Sequence, residues 1–195
     1  RAITPLKTIV LVGWDIHRAI VDNIHESAPD EAHATVKLPD YMAKLMAEGT
    51  LGRKSGKGFF MRGPDKERLV LDPKSGSYQL EAEVKLPELD YIDAVARLHR
   101  VGRYEEAMKV FLTAPGREAQ IARKVIAGYI AYSFALVGEV TEGIEGIDRI
   151  MGFGFNWAPP GVLVDTLGLK GAIAMIEEAG LEVPKTLDDA TRSTT

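Results

Sequence analysis

The stretch Arg53-Lys54-Ser55-Gly56-Lys57 is the part of this sequence that looks most like ligand chemistry, because glycines beside lysines are how phosphate-cradling loops are built. A P-loop also needs glycine five residues before the final glycine and Ser or Thr after the lysine; position 51 is Leu and position 58 is Gly. The stretch therefore reads as a solvated basic turn between packed elements, with contact to an anion as the alternative. Gly152-Phe153-Gly154 offers two of the three glycines of a dinucleotide fingerprint, but Trp157 stands where the third belongs and no strand signal precedes it. The histidines, His17, His25, His33 and His99, form no H-x-x-x-H pair, and the eight residues from His17 to His25 are too many for a shared metal on one helix. Each is expected as a partly exposed surface side chain. Glu105-Glu106 and Glu177-Glu178 fall on helical faces and read as solvated. Trp14 and Trp157 lie beside glycines and are expected to pack in cores, with a pocket wall as the other role for an aromatic so placed.

The elements that must position these residues are nearly all helical. Thr4-Pro5 opens a short apolar helix that Gly13 stops. Asp15 is expected to cap a second helix to about Glu26, with Ile16, Ile20 and Ile24 on one face and Arg18, Asp22 and Glu26 on the other. A polar loop with Pro29 and Asp30 leads to a third helix carrying Tyr41, Met42, Leu45 and Met46, ended by Gly49. Arg68 to Leu71 and Ser77 to Leu80 flank Asp72-Pro73-Lys74-Ser75-Gly76, the pattern of a β-hairpin and the one strand signal in the chain. Helices follow near Leu89 to Arg100, Tyr104 to Leu112 and Arg117 to Val137, then Thr141 to Met151. After the glycine, aromatic and proline loop 152–160 come Pro160 to Leu167, Lys170 to Ala179 and a polar tail.

Bulk properties narrow the function classes. The 195 residues are 46% hydrophobic and 27% charged with a formal net charge of −4, which gives no preference for nucleic acid or a membrane surface. Without cysteine there is no disulfide, no thiolate metal site and no thiol catalysis, and a cytoplasmic setting is expected. Apolar runs such as Thr8 to Val12 and Ile126 to Val137 fall short of the ~20 residues of a membrane span. The opening Arg1-Ala2-Ile3, with no methionine before an immediate helix, reads as a segment of something longer.

A faint internal repeat organises the rest. Sliding the early segment by 155 positions sets Pro5 on Pro160, Gly13 on Gly168 and Ala19 on Ala174. Ile9, Val12, Ile20 and Val21 then fall on Val164, Leu167, Met175 and Ile176, all apolar. Both copies share one grammar: a proline-started helix, a glycine stop and a second amphipathic helix. A long helix stands upstream of the second copy only, so the first is expected to lack the helix that covers Ile9 to Val12. Its apolar surface must then be shielded by the second unit's long helix or by a second copy of the chain.

Leu51-Gly52-Arg53-Lys54-Ser55-Gly56-Lys57-Gly58-Phe59-Phe60, after the helix Tyr41 to Glu48, resembles the segment that closes the C-terminal helical domain of 3-hydroxyacyl-CoA dehydrogenases. Thr4-Pro5 through Val12-Gly13-Trp14-Asp15 to Ile24 resembles the middle of that domain. The region Ile147-Asp148-Arg149-Ile150-Met151-Gly152-Phe153-Gly154 to Pro160, with Asp165 to Gly168, resembles a second copy. The Gly52 to Phe60 segment argues against the helical domains of 2-hydroxyacid and 6-phosphogluconate-type dehydrogenases. The resemblance implies a parent enzyme of fatty-acid β-oxidation that oxidises 3-hydroxyacyl-CoA with NAD, through a His and Glu pair in an N-terminal NAD-binding domain. It also implies an Asn near the start of the long helix; the matching position here is Arg123, which cannot act as a small neutral amide.

The expected fold is mainly α: two related helical units of the 6-phosphogluconate dehydrogenase C-terminal-like kind, 1–63 and 116–195, joined by a connector over 64–115 with a small β-hairpin. No catalytic, cofactor-binding or metal-ligating residue is assigned. The resemblance makes NAD a cofactor of the parent and not of this stretch, and implies as partners the NAD-binding domain, acyl-CoA and a second subunit. The other reading is a non-catalytic helical interaction module.

Overall fold

The computed structural model describes residues 4–29, 32–85, 87, 89–155 and 157–187. The opening Arg1-Ala2-Ile3, Asp30 of the polar loop, Asn156 and the polar tail from Asp188 lie outside the described residues. The chain is mainly helical with one small antiparallel sheet, and it separates into two compact units, Arg1–Pro87 and Glu88–Thr195. No helix among the described residues is long and apolar enough to cross a membrane.

In the first unit, α1 (Pro5–Val12) and α2 (Trp14–Ser27) meet at Gly13, which has φ +110° and donates its N–H to the Ile9 carbonyl at 2.9 Å. A left-handed φ is what lets one residue both stop a helix and start the next, and glycine adopts it without a Cβ penalty. Asp15 was expected as the cap of α2, but Gly13 holds that position; Asp15 is the helix's second residue, and its carboxylate is taken by Lys54. α3 (Asp40–Ala47) turns Met42 and Leu45 inward, and Trp14, fully buried, packs with them, Phe59 and Leu71 in one core.

The expected hairpin is present as β2 (Arg68–Leu71) and β3 (Tyr78–Leu80), in register Leu69 to Leu80 and Leu71 to Tyr78. The Asp72 carboxylate closes the turn by accepting from the Lys74 N–H at 3.0 Å and the Ser75 hydroxyl at 2.8 Å. A further strand, β1 (Phe60–Arg62), pairs with β2 and makes the sheet three-stranded, one strand more than the expected hairpin. Three residues directly after a glycine turn carry no alternation to announce a strand; β2 recruits them because Leu71 N–H reaches the Phe59 carbonyl at 2.9 Å.

In the second unit, α4 (Asp90–Arg100) and α5 (Tyr104–Thr113) pair across a short break at Gly102. The long α6 (Arg117–Ala135) follows, then α7 (Ile144–Arg149), which passes into one π-helical turn, Ile150–Gly154. α7 starts three residues later than its apolar pattern predicts because Thr141 is engaged in a turn, its hydroxyl donating to the Gly143 carbonyl at 2.8 Å. α8 (Pro160–Leu167) and α9 (Leu169–Glu178) meet at Gly168. Gly168 has φ +74° and ψ 141° against φ +110° and ψ 139° at Gly13, so both hinges join a proline-started eight-residue helix to the next helix through the same kind of glycine. The core forms where α6 lies on α8 and α9, bringing Ala127, Ile130 and Phe134 onto Val164, Leu167, Met175 and Ile176. The strands of the stretch 64–115 pack within the first unit, and its helices α4 and α5 within the second.

Candidate functional site

The basic turn is built into the fold of the first unit. Arg53–Ser55 forms a single 3₁₀ turn whose centre is the Ser55 hydroxyl: it accepts from the Leu51 N–H at 2.8 Å and lies 3.1 Å from the carbonyls of Gly52 and Lys57. Gly52 is pressed on α1, where a Cβ would sit 2.6 Å from the Val10 carbonyl oxygen. Of the cations, Lys54 is bound to Asp15 and Lys57 reaches the Glu48 carbonyl at 3.4 Å. Chiefly the hydrogen bond from the Lys54 ammonium holds the Asp15 carboxyl below the usual aspartate range. The turn is thus a clasp joining α1, α2 and α3. Its glycines serve backbone approach, as a P-loop's do, but what approaches is α1 and not a phosphate.

The second unit holds a cavity of about 310 Å³, lined by Gln120, Arg123, Lys124, Met175, Glu178 and Ala179 on α6, α9 and the end of α9. Arg123 is 8% exposed, and its Nη1 donates to the carbonyls of Phe111 at 3.1 Å and Ala114 at 2.9 Å. Those carbonyls are at the C-terminal end of α5, where unpaired acceptors and the negative end of the helix dipole collect. A buried guanidinium satisfies both, so Arg123 has a structural role that the sequence could not announce: its partners are carbonyls, which every residue has. Its Nε is buried with no hydrogen-bond partner.

The loop after α7 is the most exposed apolar surface of the second unit. Phe153 is 91% exposed, and Phe155, Trp157 and Ile150 are exposed with it. Two fasteners hold this loop. Asp148 accepts from the Gly161 N–H at 2.8 Å, which secures the start of α8 where Pro160 has no N–H to give, and Tyr129 donates its hydroxyl to the Ala158 carbonyl at 3.0 Å. Burial first, and the Asp148 charge second, raise the Tyr129 phenol above its ordinary value, so it remains a donor at neutral pH.

The two tryptophans part company. Trp14 is core, its ring 4.7 Å from that of Phe59, as expected; Trp157 is half exposed and leans on Tyr129 at 5.5 Å, so it is not core. The histidines are spread out except for His25 and His33, whose rings stack at 4.0 Å while His25 Nδ1 lies 3.2 Å from the His33 carbonyl. Stacked rings point their nitrogens away from a common centre, and among the described residues no group of three or more His, Asp or Glu converges as a metal site. Glu106 is paired with Arg103, and Glu178 lines the α6–α9 cavity.

Taken by class, this is a helical chain with a small sheet, whose polar contacts fasten elements and whose distinctive surfaces are apolar. Among curated proteins it is similar to the probable 3-hydroxyacyl-CoA dehydrogenase of Bacillus subtilis (strain 168), with 26% identity over 179 residues. The similarity covers 91% of this chain and 22% of that protein, so the chain spans less than a quarter of the relative's length. Over most of its length the chain is therefore similar to part of a 3-hydroxyacyl-CoA dehydrogenase. No family model and no solved structure matches.

Proposed function

We propose that this chain is the C-terminal helical part of an NAD-dependent 3-hydroxyacyl-CoA dehydrogenase of fatty-acid β-oxidation, acting in the cytoplasm. It supports the acyl-CoA cleft and the association of domains or subunits, while NAD and the chemistry reside in a separate NAD-binding domain. The observation that carries this reading is the length of the similarity, 179 residues, which reaches into both units. The aromatic loop supports it further: Phe153, Phe155 and Trp157 are displayed on a fastened frame, as a docking surface requires.

Two measurements test the proposal. The purified chain, given NADH and acetoacetyl-CoA, is expected to show no oxidation of NADH and no calorimetric binding of NAD; turnover in a clean preparation overturns it. Acyl-CoA titrated into the chain is expected to bind more tightly once the NAD-binding portion of the Bacillus subtilis relative is added. Equal or absent binding in both arms favours a non-catalytic interaction module, a reading that the same exposed loop also serves.

A further inference from the structure

The cavity between α6 and α9 has charged walls whose groups are left without partners. Gln120, Arg123 and Lys124 are spaced three and four residues apart and so share one face of α6, while Met175, Glu178 and Ala179 share one face at the end of α9. Arg123 Nη1 spends both its N–H groups on the Phe111 and Ala114 carbonyls, which fixes the guanidinium before anything binds. The edge made by Nε and Nη2, the one that takes a carboxylate side-on, is used by neither bond, and Nε is buried with no acceptor. A buried donor left unpaired is costly, and here its side chain lines a space of about 310 Å³. Among the described residues neither Lys124 nor Glu178 takes part in an ion pair.

We propose that this cavity binds a small monocarboxylate with a short aliphatic tail, its carboxylate held by Arg123, Lys124 and Gln120 and its tail laid on Met175 and Ala179. The inference is independent of the dehydrogenase reading. Charge selects the head: Arg123 and Lys124 against Glu178 leave one positive charge over, which a monoanion balances, whereas a phosphate dianion brings a second negative charge beside Glu178. The carboxylate supplies the acceptor that the free edge of Arg123 lacks, and Lys124 and the Gln120 amide add donors from the same helix face. The opposite wall selects the tail. Met175 is 2% exposed and presents a flexible thioether that moulds to an alkyl chain. The basic turn of the first unit is the poorer site for the same ligand, because its Lys54 and Lys57 are already engaged with Asp15 and the Glu48 carbonyl.

The test titrates sodium butanoate into the full isotope-labelled chain at constant ionic strength and follows the backbone amide signals. Saturable shifts are expected at Gln120, Lys124, Glu178 and Ala179. K124Q should weaken the binding about threefold or more, and E178Q should tighten it by about the same factor because it removes a like charge. Both positions are exposed, so neither change touches the core, and opposite effects on affinity are not what a general loss of structure produces. Acetate, two methylenes shorter, should bind about fivefold or more weakly. Butanol and inorganic phosphate should leave the four signals in place. The proposal is overturned by no saturable shift, by shifts centred on the turn Arg53 to Lys57, by K124Q and E178Q moving the affinity the same way or not at all, or by phosphate or butanol binding in the cavity as tightly as butanoate.

Discussion

At the scale of single residues the chain spends its polar side chains on joints. Asp15 and Asp72 both have carboxyls held below the ordinary aspartate value, Asp15 by the Lys54 hydrogen bond and Asp72 chiefly by the Lys74 N–H and the Ser75 hydroxyl. A depressed folded-state value stabilises the fold above the unfolded value of about 3.9, and that contribution is lost as pH falls through the lower folded one. The thermal midpoint should therefore drop on acidification below about pH 4. Salt distinguishes the joints: it should weaken the part removed by D15N, an exposed ion pair, and spare the part removed by D72N, which rests on neutral donors. Arg123 makes a stronger joint because it is buried. R123M removes the guanidinium donor from the Phe111 and Ala114 carbonyls, of which Phe111 keeps the Ala114 N–H at 3.4 Å, and should cost about 1 to 3 kcal/mol in chemical denaturation. A cost below about 0.5 kcal/mol would show that water replaces it. Gly52 and Gly56 give a comparison within one turn: G52A, at φ +91° and ψ −149°, meets the Val10 carbonyl, whereas G56A, at φ +75° and ψ −6°, meets nothing within 4 Å. The first should destabilise by about 2 to 4 kcal/mol and the second by about 1 to 2.

At the scale of elements, helix positions were legible because proline, glycine and a four-residue apolar period mark them locally. The bounds expected for the helix starting at Pro160 are those observed, and α1, α5 and α6 start where expected. β1 was hidden because its pairing with β2 is a property of two segments, and the exposure of Trp157 was hidden because burial depends on what arrives from elsewhere. The same limit governs α1, which is apolar except at Lys7 and Thr8 although only Ile9 and Val10 pack into the Trp14 core: Leu6, Leu11 and Val12 are about half exposed. Substitutions should separate these roles. I9D, which places a charge against the core, should lower the unfolding free energy by several kcal/mol, while V12D should stay within about 0.5 kcal/mol. L167D, the counterpart of V12D under α6, should behave like I9D. If V12D and L167D cost the same, the two helix pairs are not covered differently.

At the scale of the whole molecule, each unit has its own core, and they are unequal. Among the described residues, ten buried side chains make the main core cluster of the second unit and five that of the first, whose α1 and α2 carry exposed apolar side chains. Cutting between Pro87 and Glu88 should give a second-unit fragment with a cooperative thermal transition, because every member of its core lies within it. The first-unit fragment should melt lower and over a broader range, since stability falls steeply as buried area per residue shrinks. A first-unit fragment as stable as the second would mean that those exposed side chains cost nothing. What composition, glycine turns and the offset repeat made legible was the class of fold and the kinship; the Arg123 cavity was beyond them, because a cavity is the space that α6 and α9 leave and no residue type encodes it.

The frame of the aromatic loop has a consequence for tolerance to change. Asp148 and Tyr129 fasten the segment to the backbone at Gly161 and Ala158; of the displayed rings Trp157 leans on Tyr129, while Phe153 and Phe155 are mostly exposed. Phe153 and Phe155 can therefore be exchanged, or the segment between them lengthened, without disturbing the core. The loop is a socket with interchangeable contents, in which new partner preferences can be written without rewriting the scaffold.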